Sequence, residues 1–400
     1  MIARFRHLII SFSVVLIFRP TGAFAPYSVK TRRVTTDLYN DRVGIIGTGA
    51  VALGTAAFLN NNAMLWSPSG RPLSTEFFVT GALEDSSFTC RIATSARELV
   101  EENDIILLAL PANGHKRVFD SIAPYLQENR HHVIISSHSS LGALYLSSLC
   151  QDEYNKRIPI TAWGTTLVTA RRTETQTVRV NTIRQAVDCC TIPVSYDATG
   201  IHRTLFPNIH FERRPGLLAI SLSNLNPQNH LGIALGNMSR MDKNEVWYQS
   251  QNITPRIGKL LEDLDQERLA IADALGVNVK TIFEHFSWSF HVPMTSSIAD
   301  MNQAIHEAGN DVYGPNTADT RYVTEDVPFG LPLIILLGEM VNRPAVLHRA
   351  GLEIMSSMYG RNFWAENDLL AALKLEQYTL DELQVAGRSG VLPSVKVASV

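Results

Sequence analysis

The sequence lacks most of the features that mark metal-binding, nucleic-acid-binding and membrane-spanning proteins. Its four cysteines, Cys90, Cys150, Cys189 and Cys190, have no metal-ligand spacing, so the sequence predicts free thiols and no metal site. The formal net charge is only -3, and no basic stripe is present that could follow a phosphate backbone, which argues against a nucleic-acid partner. The apolar run at residues 331–338 is too short to cross a bilayer, and we predict that it belongs to the core. The hydrophobic content of 45% over 400 residues is enough for a large core in two domains.

The first forty residues have the composition of targeting segments. Basic residues precede an apolar run at residues 8–18, as in the h-region of a signal peptide, and small residues before Phe24 offer a cleavage site. The stretch from Phe24 to Thr36 is basic, contains Ser and Thr and has no acid, which is typical of transit peptides. Residues 22–26, Gly-Ala-Phe-Ala-Pro, also resemble the junction of bipartite plastid presequences in algae with secondary plastids. The sequence therefore predicts a signal peptide at residues 1–23, a transit-like segment at 24–40 and import into a plastid, with secretion as the alternative.

A glycine-rich turn follows the first apolar strand, Val-Gly-Ile-Ile at residues 43–46, and leads into a helical run. In a dinucleotide-binding fingerprint the first glycine, here Gly47, permits the tight turn, and the second, Gly49, lets the backbone approach a pyrophosphate at the helix N-terminus. The third position is Ala52, which is small enough for close helix–strand packing. We therefore predict that Gly47, Gly49, Ala50 and Ala52 form a dinucleotide-binding loop.

The second strand, residues 63–66, ends where an acidic residue would bind the 2'-hydroxyl of NAD. The chain instead provides Ser67, a second serine and Arg71. Hydroxyls and a guanidinium suit a 2'-phosphate, because arginine forms paired hydrogen bonds with phosphate and no carboxylate repels it. The sequence therefore predicts NADP as the cofactor, and NAD remains possible. In the alternative interpretation, Arg71 is a solvated loop residue that does not bind the cofactor.

Two further predicted strands, residues 104–110 and 132–137, end in polar segments. Ligands bind at the carboxyl ends of parallel strands, so Pro111 is predicted to border the cofactor. His115 and His138 could line the same crevice, or they could be ordinary capping and loop residues.

From about Arg214 the pattern changes to long amphipathic segments. One helix is predicted to begin at Pro255, and its apolar residues recur at helical spacing until Gly276 ends it. Further helices are predicted at residues 331–341, 344–358 and 368–375. The predicted fold class is an α/β Rossmann domain, residues 41–212, followed by a mainly α-helical C-terminal domain, residues 213–395.

Two polar segments, about a quarter of the chain length apart, supply a histidine, a carboxylate and an arginine. A dehydrogenase that reduces a carbonyl or imine beside a carboxylate needs a proton donor active near neutral pH, a partner for that donor and a fixed cation. His230, Asp326 and Arg321 are the candidates, and Asn226 at the start of the histidine segment is a further substrate-binding candidate. In the structural alternatives the histidine is a core or capping residue, the aspartate is a helix cap and the arginine forms an ion pair. Glu325 is expected to be a solvated neighbour.

Three strings carry a family resemblance: residues 223–230, Ser-Asn-Leu-Asn-Pro-Gln-Asn-His; residues 264–272, Leu-Asp-Gln-Glu-Arg-Leu-Ala-Ile-Ala; and residues 321–331, Arg-Tyr-Val-Thr-Glu-Asp-Val-Pro-Phe-Gly-Leu. With these strings, the chain from about residue 42 to residue 392 resembles the octopine/nopaline dehydrogenase family, the opine dehydrogenases. Members of that family condense an amino acid with an α-keto acid and reduce the resulting imine with NAD(P)H. The resemblance implies a Rossmann domain, a helical second domain and a cleft between them.

By this resemblance, the family's catalytic histidine falls on His230, its partner aspartate on Asp326 and a substrate-binding arginine on Arg321. A second substrate arginine falls on Arg172. The surrounding segment lacks most of the family's Pro-Tyr-Ala-Cys-Arg pattern, so Arg171 is the alternative at that position.

The leading hypothesis is thus an NADP-preferring opine-type dehydrogenase that acts on small-molecule substrates. One alternative keeps the fold but makes the enzyme a reductase or dehydrogenase of small 2-keto or 2-hydroxy acids, with no amino-acid substrate. The other is a nucleotide-binding protein without enzymatic activity. A requirement for an added amine in keto-acid-dependent NADPH oxidation distinguishes the first hypothesis from the second.

The N-terminal pattern makes a prediction about location. A fluorescent fusion of residues 1–40 is expected to enter a plastid, and Phe24→Ala should divert it to the secretory route, because the aromatic residue lies at the predicted junction of the two segments. Colocalisation with plastid and endoplasmic-reticulum markers measures both outcomes, with a fusion that lacks residues 1–23 as the control. A uniform cytoplasmic signal from the intact fusion would contradict both the plastid prediction and the secretory alternative.

Overall fold

The computed structural model describes residues 42–60, 63–71 and 73–393, so the predicted signal peptide and transit-like segment lie outside the described residues. Within these ranges the strands are β1 (Val43–Ile46), β2 (Ala63–Trp66), β3 (Glu76–Gly81), β4 (Ser86–Thr89), β5 (Arg91–Ala93), β6 (Ile105–Leu108), β7 (His132–Ile135), β8 (Ile160–Trp163), β9 (Val168–Arg172), β10 (Thr177–Ile183), β11 (Ala186–Ile192) and β12 (His210–Arg213). The helices are α1 (Ala50–Leu59), α2 (Ala96–Glu102), α3 (His115–Ile122), α4 (Gly142–Tyr154), α5 (Thr199–Leu205), α6 (Leu217–Ser223), α7 (Asn226–Asp242), α8 (Pro255–Ala274), α9 (Ile282–Phe290), α10 (Ile298–Glu307), α11 (Arg321–Thr324), α12 (Asp326–Met340), α13 (Val346–Tyr359), α14 (Asp368–Leu373) and α15 (Leu380–Ser389).

An eight-stranded sheet with the order β12-β11-β8-β7-β6-β1-β2-β5 forms the centre of the nucleotide half. Six neighbouring strands of this sheet, β8, β7, β6, β1, β2 and β5, are parallel to one another. Strand β11 is antiparallel to β8. Strands β1, β6, β7 and β8 are buried along their whole length, which explains their uninterrupted apolar sequences. The strand order reverses between β1 and β6, so the ligand crevice lies at the carboxyl ends of these two strands. The predicted Rossmann architecture is confirmed.

A second sheet of four strands, with the order β4-β3-β10-β9, was not predicted as a sheet. Its strands carry many polar and exposed residues, and β3 pairs with β10 from a distant part of the sequence, so local patterns signal it weakly. Helix α1 packs on this sheet so closely that a Cβ at Gly54 would lie 3.0 Å from Cγ2 of Val168. The sheet therefore covers one side of α1, and β9 forms one of its two edges.

Long helices form the second half, as predicted. The helix expected to begin at Pro255 is α8, and the one expected at residues 331–341 is the later part of α12, which begins at Asp326. Residues 331–338 lie in the interior, so they form core as predicted. In the described part of the chain, no helix combines the length and apolar character that a bilayer crossing requires. All four cysteines are free and buried, which confirms the thiol prediction.

A buried ion pair connects the helices that surround the site. The carboxylate of Asp265 accepts hydrogen bonds from Arg268 Nε and from Gln228 Nε2, each at 2.9 Å, and from the backbone N–H of Ile282 at 2.9 Å. Both charged side chains of the pair are almost completely inaccessible to solvent. Because Asp265 accepts hydrogen bonds from residues of α7, α8 and α9, the pair holds these three helices in one arrangement.

The last two helices return to the nucleotide half. Helix α14 packs on α3 and α4, and α15 packs on α6 and β11. The Ser147 hydroxyl of α4 donates a hydrogen bond to the carbonyl of Gly390 at 2.7 Å, just after α15 ends. The C-terminal segment therefore ties the two halves together.

Candidate active site

The glycine loop after β1 has the geometry that a dinucleotide phosphate needs. Gly47 has φ = 122°, and a Cβ there would lie 2.3 Å from the carbonyl oxygen of Ala109, so only glycine fits at this crossing of the β1 and β6 loops. A Cβ at Gly49 would meet no described atom within 4 Å, which leaves the N-terminus of α1 open. Among the described residues no side chain caps α1, so the first-turn N–H groups can donate hydrogen bonds to an anion.

The other predicted loop residues surround this N-terminus in different ways. Ala50 begins α1 and is half-buried, whereas Ala52 is completely buried and packs in the core. Pro111 is half-buried and precedes a short 3-10 turn at the end of β6.

The segment after β2 contains no carboxylate. The hydroxyls of Ser67 and Ser69 lie 3.2 Å apart, and Arg71 is exposed beyond them. Two hydroxyls and an exposed guanidinium can donate hydrogen bonds to the 2'-phosphate of NADP. They suit the ribose hydroxyls of NAD less well, because those hydroxyls are usually bound by a carboxylate acceptor.

The structure brings His230 and Asp326 together. Nδ1 of His230, in the first turns of α7, lies 2.7 Å from Oδ2 of Asp326, the first residue of α12. Both side chains are mostly buried, with 18% and 14% of their surface exposed. With Nδ1 donating to the carboxylate, Nε2 is the nitrogen left for a substrate.

A close helix crossing produces this contact. A Cβ at Gly330 of α12 would lie only 2.2 Å from Cγ of Pro227 in α7. Any side chain at position 330 would therefore separate the two helices that carry the histidine and the aspartate.

Arg321 lies one helical turn before the aspartate. Its Nε donates to Oε2 of Glu325 at 2.5 Å, while 65% of its side chain is exposed. The expectation that Glu325 is solvated was wrong: its side chain is only 13% exposed, and Oε1 accepts the backbone N–H of Ala112 at 2.9 Å. Glu325 thus connects Arg321, the candidate substrate arginine, to the loop after β6. The sequence could not predict this role, because Ala112 lies more than 200 residues away from Glu325 in the chain.

The two arginines of β9 point in different directions. Arg172 donates to the carbonyl of Thr175 in its own hairpin, whereas Arg171 donates to the carbonyl of Tyr313 in the helical half at 2.9 Å. The positive charge of Arg171 also acts on the phenol of Tyr322, which borders His230. Of the two, Arg171 is the arginine that contacts the helical half, because neighbouring residues of a strand face opposite sides.

Two further residues lie near the dyad. Asn226 is exposed, and its backbone N–H donates a hydrogen bond to Oδ1 of Asn224 at 3.1 Å. Tyr322 was not assigned a role from the sequence, yet its ring stacks on the His230 imidazole with 3.6 Å between centroids.

The other candidate histidines are structural. Nε2 of His138 accepts the N–H of Ala143 at the start of α4, and burial, together with nearby His115, lowers the pKa of His138 to about 3. Burial also lowers the pKa of His115, whose Nε2–H donates to the Leu110 carbonyl at 2.9 Å. Both imidazoles are therefore neutral at pH 7 and are unsuited to donate a proton, which confirms the capping alternative for His138.

Comparison with known proteins places these features in a family context. The model of the alpha-helical domain of NAD/NADP octopine/nopaline dehydrogenases matches residues 213–359. The chain is 30% identical over 285 residues to the opine dehydrogenase of Arthrobacter sp. (strain 1C), covering 70% of this chain and 77% of that protein. It is also 22% identical over 349 residues to the ocs protein of Agrobacterium vitis, covering 84% and 95% of the two chains.

Solved structures agree with the fold. An octopine dehydrogenase solved with NADH and L-arginine superposes with a TM-score of 0.67 at 16% identity, covering 86% of this chain and 98% of that one. A yersinopine dehydrogenase solved with NADP+ gives a TM-score of 0.61 at 15% identity, covering 88% and 99%.

The helix crossing makes a prediction about the dyad. Gly330→Ala should lower kcat by about 10- to 100-fold, because the added methyl group forces α7 and α12 apart and lengthens the contact between His230 and Asp326. The matched control is Gly387→Ala in α15, where the nearest atom to the added Cβ lies 3.7 Å away. Steady-state kinetics of both variants measure the difference, and wild-type kcat in Gly330→Ala would show that the crossing does not control the dyad.

Proposed function

The chain belongs to the opine dehydrogenase family and is an NAD(P)-dependent oxidoreductase, and from that premise we propose that it reductively condenses an amino acid with an α-keto acid. The observation that carries the proposal is the 2.7 Å contact between His230 and Asp326, two residues 96 positions apart that meet in a chain with an open dinucleotide loop. A buried imidazole held by a carboxylate is the arrangement expected of a general acid/base.

The proposed roles follow from the chemistry of the overall reaction. The amine of the amino acid adds to the keto carbon, water leaves and the imine forms, and reduction then adds a hydride to that carbon. The bound nicotinamide cofactor supplies the hydride. Nε2 of His230 donates a proton to the departing oxygen or to the reacting nitrogen, while Asp326 holds the ring and stabilises its positive charge.

Two arginines, Arg321 and Arg171, are proposed to bind the carboxylates of the two substrates. The Arg321 side chain is 65% exposed and its Nε donates to Glu325, so we propose that its two terminal nitrogens bind a carboxylate in a two-pronged manner. Arg171 contributes a second cation from β9. Its position supports it over the neighbouring Arg172 as the second carboxylate-binding residue.

We further propose the organisation of the whole chain: a plastid presequence, a Rossmann domain at residues 41–212 and a substrate domain at residues 213–395. The last strand of the large sheet ends at Arg213, and the family model of the helical domain begins at residue 213, which supports the boundary.

The function is tested with a matrix of amino acids against pyruvate, glyoxylate and 2-oxoglutarate, each with NADPH and NADH. Oxidation of the cofactor should require both substrates, and a secondary amine dicarboxylate should appear by mass spectrometry. His230→Ala should lower kcat by about 10^2- to 10^4-fold with little change in NADPH affinity, since it removes only the acid/base. The control is His210→Ala, an exposed histidine at the start of β12. Keto-acid reduction without any amine would favour a simple 2-keto acid reductase, and wild-type turnover in His230→Ala would refute the assigned acid.

We also propose that the enzyme prefers NADP, and this choice is tested separately at Arg71. Arg71→Ala should weaken NADPH binding by about 1.5 to 3 kcal/mol, the scale of a hydrogen bond to a charged group, and leave NADH binding unchanged. Fluorescence titration gives both dissociation constants, and Arg203→Ala, an exposed arginine of α5, serves as the control for general charge loss. Equal losses for the two cofactors would mean that Arg71 does not contact the 2'-phosphate.

A further inference from the structure

We propose that Tyr322 is a positioning residue for this reaction, whose ring sets the plane of the His230 imidazole and thereby aims Nε2 at the substrate. The inference rests on the proposed function, because it assumes that His230 is the acid/base.

One hydrogen bond cannot fix the imidazole by itself. The bond from Nδ1 to Asp326 holds one edge of the ring at 2.7 Å, but the ring can still rock about that bond and swing Nε2 away from the substrate. The ring of Tyr322 removes this freedom because it lies parallel to the imidazole, with 3.6 Å between centroids and an angle of 10° between planes. Together the two contacts define both the edge and the plane of the imidazole.

Tyr322 is itself held in place. Its hydroxyl donates to Oε1 of Gln249 at 2.5 Å, and the backbone N–H of Gln249 donates to the carbonyl of Val312 at 2.8 Å. Tyr322 also lies four residues before Asp326, so the two side chains that hold the imidazole project from the same side of the α11–α12 junction. One short segment of the chain therefore provides both constraints on the histidine.

The same contacts exclude Tyr322 as the proton donor. Its hydroxyl hydrogen is directed to Gln249 and not toward the reacting side of the imidazole. Burial, with the nearby negative charge of Asp326, raises the pKa of the Tyr322 phenol to about 12. The phenol stays neutral at working pH, so it can lie against the imidazole near Asp326 without adding a second negative charge.

The test compares aromatic and non-aromatic replacements in the full-length enzyme. Tyr322→Leu and Tyr322→Met remove the flat face, and each should lower kcat by about 10- to 100-fold with no change in the NADPH dissociation constant, because only the aim of the proton donor is lost. The solvent deuterium isotope effect on kcat should rise in both variants, since proton transfer becomes slower than the other steps. Tyr322→Phe keeps the face and should retain most of kcat. Tyr154→Leu, at an exposed tyrosine of α4, is the control.

Each result decides between readings. Wild-type kcat and isotope effect in Tyr322→Leu or Tyr322→Met would overturn the inference, as would a loss in Tyr322→Phe as large as in the non-aromatic variants. A loss of NADPH binding or of folded protein in proportion to kcat would assign Tyr322 a structural role and also overturn it. His230→Ala is measured in parallel: if that variant keeps wild-type turnover, the proposed acid/base role of His230 fails, whereas an inactive His230→Ala with an unaffected Tyr322→Leu refutes only the positioning role.

Discussion

The contact between Gly330 and Pro227 is the constraint on which the active site depends. Helices α7 and α12 cross where one has no side chain and the other has a proline ring, and a Cβ at the glycine would lie 2.2 Å from that ring. This close approach brings the early part of α7 against the first residue of α12. Without it, the two helices would lie too far apart for the side chains of His230 and Asp326 to form a hydrogen bond. The hydrogen bond between His230 and Asp326 is therefore a consequence of the close approach of the two backbones.

A buried charge network keeps the crossing in place. Gln228 lies two residues before His230 and donates to Asp265, which is paired with Arg268 in the interior of the helical half. A buried ion pair contributes little net stability when it is intact, but loss of either partner leaves a charge unpaired at a cost of about 3 to 5 kcal/mol. The network therefore makes displaced positions of α7 costly, and it holds the part of α7 that carries His230 against the helical core.

Much of the fold could be predicted from the sequence, because the relevant interactions are local. The strand at residues 43–46, the turn at Gly47 and the helix that begins at Pro255 all depend on residues close together in the chain. The four-stranded sheet could not be predicted as a unit, since β3 and β10 pair across a long stretch of sequence and expose polar side chains on one face. Pairing of that kind is decided by packing against α1, which no single segment encodes.

The candidate site divides in the same way. The sequence by itself determined which residue types carry the chemistry: a histidine and an aspartate in two recognisable strings, and glycines in a turn that only glycine can form. The tertiary structure decided which arginine of β9 contacts the helical half, that Glu325 bonds to Arg321 and the β6 loop, and that Tyr322 lies on the imidazole. The physical reason is that side-chain direction depends on strand register and on the relative position of two helices. Both are set by contacts between residues far apart in the chain.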